Sequence, residues 1–193
     1  MSSRVTLLAG LTLLASLSAF APGTGAQQAP HEHGVVHLDI AVEGKGFTVA
    51  MESPLDNFLG FEHAPRDAGQ EKSVRAMAAR LRAAETLFAA NRTAGCKLLS
   101  VSLESAVLSP ALLGEESGAR SAGNSSHEEN GHEGHADLDG SFAFSCQSPG
   151  ALRAIDVMLF DAFERIRRIE VQVITPKGQG KRTLTRAARQ VAW

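Results

Sequence analysis

Seven histidines stand in this chain, His31, His33, His37, His63, His127, His132 and His135, and none follows position 135. Their spacing sorts them into groups. His31-Glu32-His33 places two imidazoles two residues apart, which on an extended backbone is about 6.6 Å along one side. That is close enough for both to converge on one ion at Zn–N distances of about 2.0–2.1 Å. His33 and His37 would be about 13 Å apart on a straight strand, so they cannot share a metal unless the chain bends at Gly34, and His37 needs a partner from elsewhere. Glu62 and His63 are adjacent within Gly60-Phe61-Glu62-His63-Ala64-Pro65, a proline-ended turn on which both side chains can reach a metal if a rigid scaffold holds the loop. A lone His63 would more ordinarily be a surface or helix-capping residue. The third group runs from His127 through His132 and His135 to Asp137 and Asp139, with glycines between. Its density of imidazole and carboxylate suits capture of a divalent cation at modest affinity, because a flexible segment loses entropy on binding. His135, Asp137 and Asp139 alternate onto one face as a strand begins, which favours them over His127 and His132 for an ordered site; the plain alternative is a solvated acidic linker.

Imidazole with carboxylate and no thiolate suits Zn(II) first, then Cu(II), Ni(II) and Co(II). Met51, Met77 and Met158 fall within strand or helix patterns rather than in a Met-rich string, which disfavours a Cu(I) carrier. Catalytic signatures are missing. His127-Glu128 begins a zinc-protease pattern, but Gly131 stands where the second histidine is required, and there is no nucleophile elbow, phosphate loop or dinucleotide fingerprint. The reading is a metal-binding protein, not an enzyme. The alternatives are a zinc-dependent hydrolase built from dispersed residues and a general Cu/Ni buffering protein.

The elements that must position these residues begin after a leader. Residues 1–26 carry Arg4, an apolar run from Val5 to Phe20 and a small-residue end at Thr24-Gly25-Ala26, the pattern of a secretory signal peptide cleaved after Ala26. The run is short of the ~20 residues a spanning helix needs, and nothing downstream reads as a membrane span. Residues 27–193 therefore form an exported metal-binding domain in a disulfide-permitting compartment. Cys96 and Cys146, the two cysteines, are expected to pair; thiolate ligation of zinc is the alternative, though neither has a Cys-x-x-Cys neighbour. With 19 basic against 21 acidic residues, a net charge of −2, there is no electrostatic footprint for nucleic acid.

Val36, Leu38, Ile40 and Val42 alternate with polar residues, Glu43-Gly44-Lys45-Gly46 turn, and Phe47, Val49 and Met51 resume the alternation, so residues 35–53 read as a β-hairpin. Asp67 with Gln70 makes a capping-box-like start to a helix whose apolar line is Val74, Met77, Leu81, Ala84 and Phe88. Leu98–Val107 reads as a third strand. Residues 114–134 are too poor in apolar side chains to offset their ordering entropy and read as a disordered His-rich linker. A strand at about 136–146, an apolar segment Ala154–Phe163, a strand from Arg168 to Thr175 and a short strand near Thr183 follow. The class is α+β, mainly antiparallel sheet with helices. The recurring order of elements in pseudo-halves of about 31–113 and 135–193 points to a pseudo-duplicated ββαβ sandwich, with a single mixed sheet as the alternative.

The order His31-Glu32-His33-Gly34, Ser53-Pro54, Gly60-Phe61-Glu62-His63-Ala64-Pro65, Cys96, a His-rich insert, His135-Ala136-Asp137 and Cys146 resembles the ZrgA-like periplasmic zinc-binding proteins over essentially the whole exported chain. The Gly-Phe-Glu-His-Ala-Pro string is its specific part. The resemblance implies a metallochaperone-like role in zinc acquisition, tied to an inner-membrane ABC-type importer, with His31, His33, Glu62, His63, His135 and Asp137 as candidate ligands. The insert is short here, with His127 and His132 before His135, where relatives carry longer histidine runs.

Overall fold

The computed structural model describes residues 32–115 and 136–193. The expected leader, His31, and most of the expected His-rich linker, with His127, His132 and His135, lie outside those residues.

The alternation that begins at Val35 produces two strands, β1 (Val35–Glu43) and β2 (Gly46–Pro54), paired antiparallel from His37–Glu52 to Glu43–Gly46. The apolar members Val36, Leu38, Ile40, Phe47, Val49 and Met51 are buried on one face, and that hydrophobic face sets the register, since a slip of one residue would turn every one of them to water. After β2 the chain makes one short helical turn, α1 (Asp56–Leu59), then the Gly60–Pro65 loop, then the long helix α2 (Ala68–Arg82). Asp67 caps α2 by accepting from the Gln70 N–H at 2.9 Å, and Gln70 reaches back to accept from the Arg66 N–H at 2.8 Å. Val74, Met77, Ala78 and Leu81 form its buried stripe.

That helix is shorter than its apolar line implies. It ends at Arg82, and Phe88 opens a short strand, β3 (Phe88–Ala90), instead of a further turn. The ring of Phe88 sits 5.0 Å from that of Phe142, so packing in the core overrides the continuing helical spacing. The next strand, β4 (Cys96–Glu104), is followed by a short helix, α3 (Pro110–Leu113). The first residues of the expected linker are tied down: the Glu115 carboxylate accepts from Arg82 Nη2 at 2.5 Å and from the Leu103 N–H at 2.9 Å. The chain resumes in β5 (Asp137–Cys146). The apolar segment at 154–163 divides into β6 (Ala154–Val157) and α4 (Leu159–Ala162), and β7 (Arg168–Thr175), β8 (Gly178–Leu184) and β9 (Gln190–Ala192) complete the fold.

Six strands form one sheet in the order β4-β5-β2-β1-β7-β8, and three form a second in the order β3-β6-β9. Every pairing is antiparallel except β1 with β7, so the α+β, mainly antiparallel class holds. Strands from before and after the His-rich segment interleave in the larger sheet: β5 lies between β4 and β2, and β7 lies against β1. A single core joins both sheets and α2, with Phe47, Phe88, Phe142 and Phe160 among its largest buried side chains. Cys96 and Cys146 are directly opposed on β4 and β5 and joined by a disulfide. No helix among the described residues is long and apolar enough to cross a membrane.

The registers bring four chain positions to one end of the six-stranded sheet. Val35 at the start of β1 lies beside Arg168 at the start of β7, and Pro54 at the end of β2 faces Asp137 at the start of β5. The disulfide lies at the opposite end.

Candidate metal centre

Glu32-His33-Gly34-Val35 is a β-turn, closed by the Val35 N–H donating to the Glu32 carbonyl at 3.0 Å. Gly34 has φ +87°, the left-handed value that the third residue of a type II turn requires and that glycine adopts without strain. The turn is gripped from both sides. The Gly34 carbonyl accepts from the Arg167 and Arg168 N–H groups at 2.8 and 3.0 Å, and its N–H donates to Asn57 Oδ1 at 2.5 Å. The second grip belongs to α1, which stops at Gly60, φ +78°, with Arg165 filling the space where a side chain would stand. The chain then turns out into Phe61-Glu62-His63.

These two turns meet. His33 Nε2 lies 2.9 Å from Glu62 Oε1, with the Glu62 side chain 15% exposed and that of His33 54% exposed. Two donors on one tetrahedral zinc stand about 3.4 Å apart, so an ion replacing the shared proton needs only a small opening of this pair. His63 is oriented by its own backbone: its Nδ1 is 2.8 Å from the Ala64 carbonyl. In the neutral tautomer that donates to this carbonyl, Nε2 carries the lone pair, the arrangement in which metal-ligating histidines are held. The imidazole stacks on Phe61, with ring centroids 4.9 Å apart. Among the described residues no three His, Cys, Asp or Glu side chains converge into a group able to hold a metal. What the described residues show is the His33–Glu62 contact, with His63 next to Glu62 in sequence.

The chain matches the family described as ZrgA family zinc uptake protein over residues 30–193. It belongs to that family. No curated protein matches it. The family carries a role in zinc uptake, and the donor types at the end of the sheet are those zinc prefers.

Other residues singled out by spacing fall elsewhere. His37 faces solvent, and its partner is Glu170 of β7, with Nδ1 3.7 Å from Oε2. It belongs to a row in register across five strands, Glu104, Asp139, Glu52, His37 and Glu170, four of which line a groove of about 330 Å³ on the outer face of the sheet. Asp137 is half-buried at the start of β5, and the preceding Ala136 carbonyl accepts from the Leu55 N–H at 2.9 Å, just before α1. The third sequence motif therefore rejoins the described chain at the same end of the sheet as His33. His31, His127, His132 and His135 lie outside the described residues. Glu32, inside the His-Glu-His motif, is engaged by Arg168 at 2.8 Å. Asn57 carries no ligand spacing in the sequence, and beside Asp56 in Leu55–Leu59 it reads as an ordinary polar helix-start residue.

Proposed function

We propose that this ZrgA-family chain is an exported, non-catalytic zinc carrier of the periplasm. It holds Zn(II) at the end of the six-stranded sheet and delivers it to an inner-membrane ABC-type importer. The observation that carries the reading is the 2.9 Å contact between His33 and Glu62, which unites two motifs 29 residues apart in the chain. His63, with its lone pair on Nε2, supplies a further donor. His31, two residues before His33, and His135 with Asp137, which lead into β5, supply the rest of the ligand set. The leader at residues 1–26 and the Cys96–Cys146 disulfide support export to an oxidising compartment.

The zinc is cargo in this reading, so the centre must both bind it and release it. Loop and turn residues at a sheet end, one of them half-exposed, suit exchange better than a closed cage of thiolates does. Calorimetric zinc titration of the purified protein, repeated with His33→Ala, Glu62→Gln and His63→Ala, tests the assignment. Each variant is expected to lose affinity by at least about tenfold, the low end for removing a group that ligates or orients a metal. Unchanged stoichiometry and affinity in all three would overturn it.

A further inference from the structure

Ser53 and Asn57 are the two polar side chains that are buried among the described residues, at 0% and 1% exposure. Asn57 directs two of its three hydrogen bonds to the turn that carries His33 and the third to Ser53 near the end of β2. Its Oδ1 accepts from the Gly34 N–H at 2.5 Å, and its Nδ2 donates to the Val35 carbonyl at 2.7 Å and to Ser53 Oγ at 2.9 Å. Gly34 is the residue after His33. Asn57 itself sits on α1, three residues before Gly60 and five before Glu62. One amide therefore ties the turn that carries His33 to the helix that launches Glu62 and His63.

An apolar side chain of similar size would fill the same space without choosing a register between turn and helix. An amide cannot. Any slip would strand a buried donor or acceptor, and leaving such a group unpaired is costly. We infer that Asn57 is a positioning residue for zinc, fixing the separation of His33 from Glu62 without itself touching the ion. This rests on the proposed His33–Glu62 centre.

A second amide provides a built-in comparison. Asn91, at the end of β3, accepts from the Arg153 and Ala154 N–H groups and donates to the Ala151 carbonyl and Thr93 Oγ1, bridging segments of the smaller sheet. It ties backbone segments together as Asn57 does, from a less buried position and without joining residues of the proposed centre. The purified protein and its Asn57→Ala, Ser53→Ala, Asn91→Ala and His33→Ala variants are compared by zinc competition titration, by the visible absorption of bound Co(II) and by melting of the metal-free forms. Asn57→Ala is expected to weaken zinc binding by about tenfold or more and to shift the Co(II) bands. Ser53→Ala, which removes one of the partners of Asn57, shows a smaller loss in the same direction. Asn91→Ala melts lower but keeps the wild-type zinc affinity and Co(II) spectrum. The inference is overturned if Asn57→Ala matches Asn91→Ala in affinity and spectrum. Should Asn57→Ala fail to fold, an unchanged zinc affinity in Ser53→Ala overturns it instead. The centre itself fails by a separate sign: His33→Ala binding zinc as the wild type does, whatever the Asn57 variant shows.

Discussion

The Ala64 carbonyl lies 2.8 Å from His63 Nδ1, so the ring is oriented with Nε2 as the nitrogen it would offer to a metal. His33 is different, because its Nε2 is in contact with Glu62, and an ion bound at the proposed centre would displace the proton between them. Metal capture at such a centre releases protons. Lowering the pH protonates imidazole and opposes ligation, so zinc affinity is expected to fall as pH is lowered between about 8 and 5. Competition titrations across that range check it, and a flat profile would mean that carboxylates alone hold the ion. The histidines were legible in the sequence as ligand candidates because imidazole beside carboxylate has few other reasons to cluster. Asn57 was not, because its value lies in bonds to Gly34 and Val35, 23 and 22 positions away.

Among the elements, the β1–β2 hairpin and β5 follow their apolar alternation closely. The 3.6-residue spacing identified α2 but could not place its end, because Phe88 keeps the spacing while its ring joins Phe142 and Phe144 in the core. The disulfide links β4 to β5 across a separation of 50 residues. By the chain-entropy argument, closing a loop of that length contributes about 3–4 kcal/mol. The Cys96→Ser/Cys146→Ser protein is therefore expected to lose about that much stability in chemical denaturation. Its zinc affinity should be unchanged, since β5 runs about 30 Å from Asp137 at the proposed metal end to Cys146 at the other. A large loss of zinc binding in a variant that remains folded would show that the two ends are coupled.

For the whole molecule, the six-stranded sheet works as a collector. Its topology gathers the starts of β1, β5 and β7 and the end of β2 at one end, so that described residues far apart in sequence reach the same end of the sheet. A zinc carrier of the proposed kind matters to a cell when zinc is scarce. A strain lacking the chain is expected to grow more slowly than its parent in zinc-poor medium and equally in zinc-replete medium, with growth restored by the wild-type chain and not by His33→Ala. Equal growth of all strains under zinc limitation would sink the delivery role.

The order of residues alone was enough to foresee the hairpin, the capped helix and the cysteine pair and to name candidate donors. Each of these depends on side-chain type or on spacings of two to four residues, which the backbone's own geometry converts into faces and turns. Only the tertiary structure decided that His33 meets Glu62, that His37 turns to Glu170, and that β7 joins β1 in parallel. Those outcomes depend on how distant apolar faces share one core and on a few buried hydrogen bonds, above all those of Asn57. Such contacts leave no period in the chain, because the partners that satisfy them are chosen by the packing of the whole.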